Sequence, residues 1–245
     1  MGAFSYIRAY SNNILSNNTG LLLDGPVPTP ALKTFIYNRI VGNLVGAENN
    51  SPIEFLVKNN WWGCSAGPNQ TGCDTSLNSG TGTLAFTPWL VLTTSVDPAL
   101  VVPGTTSAFT ASLQYNSNGV IPFTDNVPNT TPVAFSVKTL GSVLPTSGFY
   151  TDGISATTFL SPFTPGDYEV CATTDNQETC STVTAAGPLD LTELTLLHST
   201  NGTNWTPAGP PGANDSAQFA IANAYTVNFL NDTSTESLWV YDGQP

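Results

Sequence analysis

The side chains with the greatest potential for chemistry in this sequence are a single histidine and four cysteines. His198 is followed by Ser199, and Asp190 and Glu193 lie upstream of it. A Ser–His–Asp triad needs three groups that converge in space, and a histidine beside a serine is not a pattern typical of a nucleophile. The sequence also lacks a glycine-rich phosphate-binding loop and a His-Glu-x-x-His motif. We therefore predict no catalytic residue.

The cysteines form two pairs with equal spacing, Cys64 with Cys73 and Cys171 with Cys180. Each pair closes a short segment rich in turn residues, so local pairing fits best among the connectivities that are open to four cysteines. Disulfides persist in oxidising compartments, which favours a location outside the cytosol. The alternative is a four-thiolate zinc site, although neither pair has the C-x2–4-C spacing that such sites use. No other metal site is predicted.

The composition argues against nucleic-acid and membrane partners. Only 9% of the 245 residues are charged, and the formal net charge is −12. No Lys or Arg follows Lys138. Such a surface repels phosphate backbones and anionic lipid. No segment reaches the roughly 18 apolar residues of a membrane span. The N-terminus has no basic segment followed by an apolar run, so we predict no signal peptide and expect part of a longer exported protein.

A repeated segment organises residues 1–92. The segment that starts at Asn12 recurs at Asn38, with an Asn, an Ile, a second Asn and a Gly in matching places. A third copy starts at Asn60, where Trp62 takes the place of the isoleucine. A period in the low to middle twenties is the length of one solenoid coil, and such coils need neighbours to bury their inner face. Asn12, Asn38 and Asn60 are predicted to stack as an amide ladder.

This pattern, which ends in Asn59-Asn60-Trp61-Trp62-Gly63, resembles the last coils of a right-handed parallel β-helix. Such coils occur in large secreted bacterial proteins, including adhesins and surface-array proteins. The resemblance covers about residues 5–92. It implies that the loop between Cys64 and Cys73, together with Trp89, caps the end of the solenoid. A cap matters because an uncovered last coil is an open sheet edge.

Some parallel β-helix proteins are polysaccharide lyases, so the same resemblance raises a catalytic alternative. Lyase chemistry needs carboxylates grouped around calcium and a base that removes the proton next to a uronate. The coil region offers scattered candidates, and fold alone does not imply activity. These are Asp24, Glu48, Glu54, Asp74, Arg8, Lys33, Arg39 and Lys58. Trp61, Trp62 and Trp89 are candidates for stacking on sugars, although large aromatic side chains more often pack in cores and caps.

Residues 93–186 contain short alternating strands separated by turn residues, the pattern of an immunoglobulin-like (Ig-like) sandwich. Pro103-Gly104-Thr105 and the segment Pro165-Gly166-Asp167-Tyr168-Glu169-Val170 resemble the invasin-type bacterial Ig domains found in tandem on adhesins. The resemblance implies a spacer or display module. No cysteine pair is placed to bridge two sheets, so the Cys171–Cys180 bridge would staple a hairpin.

The same region contains the only candidates for a structural metal ion. Asp125, Asp152 and Asp175 lie in predicted loops, and oxygen-rich loops can hold calcium at module junctions. Solvated loop carboxylates are far more common, and the three residues do not form a D-x-D-x-D run. We therefore predict no cofactor, with structural calcium as the alternative.

Residues 187–245 include strands predicted at 225–229 and 237–241, and they resemble the opening coils of a second β-solenoid of the autotransporter-passenger kind. Open β edges are then predicted near Phe4 and Tyr6 at one end of the chain and near Val240 and Tyr241 at the other. Two such edges can join copies head to tail into a filament. The alternative is that neighbouring modules of a longer protein cover both edges, since exposed β edges are usually blocked.

These patterns together predict an all-β protein with three parts. Coils of a parallel β-helix with a disulfide-closed cap occupy residues 1–92, an Ig-like sandwich occupies 93–186, and a solenoid-like segment occupies 187–245. The predicted function is a non-catalytic extracellular structural or adhesive surface protein. Its expected partners are other copies or neighbouring modules, with glycans as a further ligand. The opposing hypothesis is a carbohydrate-active enzyme or binding module that acts on extracellular polysaccharide.

Overall fold

The computed structural model describes most of the chain, and its described residues contain strands and no helix, as the all-β prediction required. The described residues are 6–25, 32–122, 125–186, 216–221 and 237–242. Within these ranges no helix could cross a membrane. Phe4, His198, Ser199, Asp190 and Glu193 lie outside them, as does the strand predicted at 225–229.

The first part of the chain winds as stacked coils. Its strands are β1 (Tyr6–Tyr10), β2 (Asn13–Leu15), β3 (Thr19–Asp24), β4 (Leu32–Ile36), β5 (Arg39–Val41), β6 (Val45–Asn50), β7 (Phe55–Leu56), β8 (Ser76–Asn78) and β9 (Leu84–Ala85). They form three parallel sheets with the orders β1-β4-β7-β9, β2-β5 and β3-β6-β8. Each of the first two passes adds a strand to each sheet, and Ile14 lies opposite Ile40 as the repeat requires. The third pass adds β7 and β8 and a single bridge between Trp61 and Arg39.

The predicted amide ladder runs along one corner of this stack. Asn12 Nδ2 donates to Asn38 Oδ1 at 3.0 Å, and Asn38 Nδ2 donates to Asn60 Oδ1 at 3.1 Å. The main-chain N–H groups of Asn12 and Asn38 donate to the same two oxygens at 3.0 and 2.8 Å. In the last coil, Asn60 Nδ2 turns to the carbonyls of Val57 and Phe35. Asn12 and Asn38 therefore each donate to the rung of the coil that follows, and Asn60 ends the series.

A second ladder, which the sequence did not reveal, runs along another corner. Asn17 Nδ2 donates to Asn43 Oδ1 at 3.0 Å, and Asn43 Nδ2 donates to Asp74 Oδ2 at 2.7 Å. Asp74 also accepts from the main-chain N–H groups of Gly42 and Asn43 at 2.8 and 3.1 Å. An ionised carboxylate can only accept hydrogen bonds, which suits a rung with no later coil to donate to. The loop closed by Cys64 and Cys73 lengthens this coil and hides the repeat.

The corners of the coils explain two other features of the repeat. Ser11, Tyr37 and Asn59 each precede a rung of the first ladder, and all three have left-handed backbone, with φ of 52°, 58° and 51°. This conformation turns the chain between two sheets at a cost of order 1–3 kcal/mol for a non-glycine residue. The glycine of the repeat is required by space, because a Cβ on Gly20 would lie 2.6 Å from the carbonyl oxygen of Gly46.

Residues 93–186 form a two-sheet sandwich. Its strands are β10 (Thr93–Asp97), β11 (Leu100–Val101), β12 (Thr106–Ser112), β13 (Pro132–Val137), β14 (Ser142–Leu144), β15 (Ser147–Phe149), β16 (Ile154–Leu160), β17 (Gly166–Thr174) and β18 (Gln177–Ala185). The sheet orders are β10-β12-β16-β14 and β11-β18-β17-β13-β15. The first sheet has the ABED order of an Ig-like sandwich, and β18-β17-β13 of the second has the GFC order, with β11 and β15 as its edge strands. This confirms the predicted Ig-like sandwich.

Tyr168 anchors the start of β17 in a way that is typical of this fold. Its hydroxyl donates to the carbonyl of Thr164 at 2.7 Å, which is the geometry of a tyrosine corner. The ring packs inside against Phe159, with centroids 6.2 Å apart, while Phe109 and Phe135 meet edge to face at 6.0 Å. These aromatic pairs fill the space between the sheets, where antibody domains have a disulfide.

Beyond the sandwich, the structure describes β19 (Ser216–Ile221) and β20 (Ser237–Asp242). They pair in parallel, with Ser216 opposite Ser237. The strand predicted at 237–241 is therefore present, and it contains Val240 and Tyr241. Tyr6 begins β1, the outermost strand of its sheet.

Replacement of the central rung tests how far the first ladder stabilises the coils. Asn38→Ala should lower the free energy of unfolding by about 2–4 kcal/mol, because it leaves buried donors and acceptors without partners. Urea denaturation of the full chain measures the loss. The matched control is Asn18→Ala, at an exposed asparagine outside the ladder, where about 0.5 kcal/mol or less is expected. Equal losses in the two variants would contradict a stabilising role for the ladder.

Candidate functional site

A partly buried ion pair lies where the coil stack meets the sandwich. Asp175 is at the tip of the β17–β18 hairpin, and Arg39 begins β5 of the coils. Arg39 Nε donates to Asp175 Oδ2 at 3.0 Å, and a second bond joins Arg39 Nη2 to Oδ1. Trp61 Nε1 also donates to Oδ2 at 2.7 Å. The side chains are 13% and 6% exposed, so both charges are largely removed from water. A planar guanidinium fixes the direction of the carboxylate as well as binding it.

One apolar core continues across this junction. Tyr37, Trp61 and Leu90 from the coil region are buried in the same cluster as Phe109 and Phe135 of the sandwich. The cluster inside the coils is separate and contains Trp62, together with Leu23, Ile40, Ala47, Phe55 and Val57. Because successive side chains of an extended chain point in opposite directions, adjacent tryptophans serve the two cores.

The hairpin tip also binds the loop between Cys64 and Cys73. Asn176 donates through its main-chain N–H to the carbonyl of Gly63 at 3.1 Å and through Nδ2 to that of Gly72 at 2.9 Å. Gln177 Oε1 accepts from the N–H of Ser65 at 3.0 Å. The contact therefore joins the tip of one module to the cap of the other by hydrogen bonds to main-chain groups.

Both cysteine pairs flank this contact. The structure has disulfides between Cys64 and Cys73 and between Cys171 and Cys180. The first closes the loop, and the second links two residues that face each other across the hairpin. The only group of potential metal ligands among the described residues is Cys171, Glu178 and Cys180. Its sulfur atoms are joined in the disulfide, and the Glu178 carboxylate accepts a hydrogen bond from Lys138 Nζ.

The tryptophans considered for sugar stacking are mostly enclosed. Trp61 and Trp62 have no exposed surface, so neither ring offers a face to a sugar. Trp89 is partly exposed. One side of its ring is occupied, because a Cβ on Gly67 would lie 2.5 Å from it, and Nε1 donates to the carbonyl of Ser65 at 3.0 Å. Trp89 thus packs on the disulfide loop as part of the cap.

Four of the candidate lyase residues, Asp74, Asp24, Glu48 and Arg39, each have a different hydrogen-bond partner in the structure. Asp74 ends the second ladder with its carboxylate bound by three donors. Asp24 accepts from Asn50 Nδ2 at 3.0 Å on the outside of β3. Glu48 accepts from the hydroxyl of Ser79 at 2.6 Å. These carboxylates serve separate local bonds. Arg39 pairs with Asp175, so that neither charge is available as a base or as a calcium ligand.

Tyr150 is the buried group whose ionisation is most affected near the junction. Its hydroxyl shares a hydrogen bond of 2.8 Å with that of Thr174, and the side chain has no exposed surface. Burial raises the pKa of Tyr150 from 10.0 to about 12. The bond to Thr174 opposes this rise in pKa, and the negative charge of Asp175 adds to it. The phenol is therefore held neutral beside the ion pair.

Comparisons with known proteins give weak structural likenesses. No family model and no curated protein matches the sequence. The D00-D0 domain of intimin has a TM-score of 0.32 at 18% identity, over 43% of this chain and 54% of that one. The Yersinia pseudotuberculosis adhesin InvE has a TM-score of 0.31 at 23% identity, over 39% and 26%.

A glycosyl hydrolase family 2 member from Bacteroides cellulosilyticus has a TM-score of 0.30 at 19% identity, over 39% of this chain and 14% of that one. The chain thus spans about half of the intimin structure and smaller parts of the other two. At these values the likenesses say nothing about binding or catalysis.

Removal of the charge on Asp175 tests the ion pair. Asp175→Asn should lower the free energy of unfolding by about 2–4 kcal/mol, because it leaves the partly buried Arg39 without a counter-charge. The matched control is Asp152→Asn, at an exposed aspartate that also has left-handed backbone. There we expect a change within about 0.5 kcal/mol. Denaturant titration of both variants measures the difference, and a small loss at 175 would contradict the role of the pair.

The pKa of Tyr150 predicts a loss of stability at high pH. Between pH 10 and about pH 12 the unfolded chain releases this proton while the folded chain retains it, so stability falls as pH rises by about 2–3 kcal/mol over the interval. Tyr150→Phe removes this dependence. It should be less stable than wild type by about 1–3 kcal/mol at neutral pH, because Thr174 loses its partner. The gap should close towards pH 12, and a constant gap would contradict the raised pKa.

Proposed function

We propose that the chain is a non-catalytic structural or adhesive module of an extracellular surface protein. In this proposal the coils are the end of a right-handed parallel β-helix, and the sandwich is an invasin-type Ig domain that serves as a spacer. Residues 187–245 begin a second solenoid. The coil stack and the described β19–β20 pair supply the parallel strands that this proposal requires.

The observation that carries the proposal is the junction around Asp175. A shared apolar core, a bidentate ion pair and bonds to the disulfide loop join the two modules without a flexible linker. Such a joint holds the two modules in a fixed arrangement, which suits a spacer. Tyr37 and Trp61 pack in the shared core, and Arg39 and Asp175 form the ion pair beside it. Two disulfides also fit an oxidising, extracellular location.

Surface location can be tested on intact cells. Antibodies raised against the folded chain should label non-permeabilised cells of the source organism, and brief protease treatment of those cells should remove the label. The control is an antibody against a cytosolic protein, which should label only after permeabilisation. Labelling of this chain that requires permeabilisation would contradict an extracellular role.

The catalytic alternative has its own test. The purified chain is incubated with a panel of acidic polysaccharides, and the release of unsaturated or reducing ends is followed. We expect no turnover. Turnover that Asp74→Asn or Lys58→Ala abolishes would overturn the non-catalytic proposal and favour a carbohydrate-active enzyme.

A further inference from the structure

The two disulfides close two loops of equal length, and these loops bond to each other. Residues 64–73 form the cap loop and residues 171–180 form the tip loop, each with a sequence separation of 9 between its cysteines. The main-chain N–H of Ser65 in the cap loop donates to Gln177 Oε1 in the tip loop at 3.0 Å. Asn176 Nδ2 donates in the other direction, to the carbonyl of Gly72, at 2.9 Å. The hairpin therefore meets the coil region through two disulfide-closed loops.

The tip loop holds the hairpin residues that bind the coil region. Asp175, Asn176 and Gln177 are consecutive, and each makes a hydrogen bond to that region. Only three cross-strand pairs lie between the disulfide and the turn at Asp175 and Asn176. Asp175 also has left-handed backbone, with φ of 53°, which a non-glycine residue in a free chain seldom adopts. A covalent ring restricts the other conformations of this short segment, so the bridge holds the binding residues close to their docked arrangement.

Other bonds across the junction come from a loop without a disulfide. Ser11 Oγ donates to the carbonyl of Asn126 at 2.5 Å, and Asn13 Nδ2 donates to Thr130 Oγ1 at 2.7 Å. These contacts involve no sulfur atom. A change in redox state therefore acts first on the hairpin side of the junction.

The bridge of the tip loop is accessible at one of its two sulfur atoms. Cys171 has no exposed surface, whereas Cys180, which faces it across the hairpin, is partly exposed. A thiolate of a dithiol can attack Cys180 Sγ, which forms a mixed disulfide and releases Cys171 as a thiolate. The second thiol of the dithiol then bonds to the first dithiol sulfur and releases Cys180. Two electrons pass from the dithiol to the bridge, and the two dithiol protons end on Cys171 and Cys180.

We propose that the Cys171–Cys180 disulfide is a redox switch for the junction. When it is oxidised, it locks the hairpin onto the cap loop, and when a dithiol reduces it, the hairpin is released. In the reduced chain the tip loop leaves the conformation in which Asp175 meets Arg39 and Trp61. The five residue pairs of β17 and β18 that precede the bridge keep the hairpin in its sheet.

The switch would make the junction tighten only after the chain reaches an oxidising compartment. This consequence rests on the proposed extracellular role, whereas the switch itself is measured on the purified chain. The two can therefore fail separately. Absence of surface labelling would remove the compartment, and the exchange experiment below would still decide whether the bridge locks the hairpin.

Hydrogen exchange of single amides in the full chain, followed by NMR, tests the switch. The double variant Cys171→Ala/Cys180→Ala removes the bridge of the tip loop and leaves that of the cap loop intact. The informative amide is that of Ser65, because it lies in the cap loop and bonds to the tip loop. Its exchange should become at least about tenfold faster than in wild type, since an amide exchanges when its hydrogen bond opens.

Two other amides of the same variant are internal controls. The N–H of Cys73 donates to the carbonyl of Gln70 at 3.0 Å, so its exchange reports on the cap loop alone. The N–H of Lys138 donates to the carbonyl of Glu169 at 3.0 Å, so its exchange reports on the fold of the sandwich. Both rates should stay within about twofold of those in wild type, because neither bond crosses the junction.

Reduction of the wild-type chain with dithiothreitol gives a second measurement without a substitution. Alkylation followed by mass spectrometry shows which cysteines have become thiols at each time. Exchange at Ser65 should accelerate as the thiols of Cys171 and Cys180 appear, and reoxidation should restore the slow rate.

Three outcomes would overturn the switch. Unchanged exchange at Ser65 after loss of the tip-loop bridge would mean that the hairpin docks equally well without it. Equal acceleration at Ser65 and Lys138 would mean that the bridge holds the sandwich together rather than the junction, and a chain that unfolds without the bridge belongs to this outcome. Equal acceleration at Ser65 and Cys73 in the double variant would mean that the cap loop opens by itself.

Discussion

The structure depends on the bonds that Asp175 makes to Arg39 and Trp61. A carboxylate at a hairpin tip is costly to bury, and only a paired and fully bonded charge is tolerated inside a protein. Here the guanidinium comes from the second coil and the indole N–H from the third. These bonds favour one register of the contact, because a shift by one coil would separate Asp175 from both donors. The pair thus contributes specificity of docking more than net stability.

The ladders solve a related problem inside the coils. At each corner the chain leaves one sheet and enters the next, so its main-chain groups have no strand partner. Asn38 supplies an acceptor for the coil before it and a donor for the coil after it, and it satisfies the corner without a charge. One asparagine per coil is enough, since each rung bonds to two neighbouring coils. In the second ladder the last rung is Asp74, whose carboxylate accepts from Asn43 and has no amide to donate.

Part of this could be read from the sequence. The spacing of Asn12, Asn38 and Asn60 predicted the first ladder, and alternation in residues 93–186 predicted the sandwich, because both depend on local periodicity. The second ladder was missed, since the disulfide loop between Asn43 and Asp74 breaks the spacing. The ion pair was missed as well, because 136 residues separate its members and no pattern links them. The sequence could not decide whether Trp61 and Trp62 bind sugars or pack in a core. In the structure both rings are buried, in two different cores.

The last coil of the stack differs from the coils before it because it must end the repetition. A coil gains stability from the coil beside it, so a coil with no later neighbour needs other partners for its edge. Here the loop between Cys64 and Cys73 and the ring of Trp89 pack at that edge. Asp74 takes the place of an asparagine rung, and its carboxylate accepts three hydrogen bonds and donates none. The residues that break the repeat are therefore the ones that finish the stack, which is why the repeat alone could not predict them.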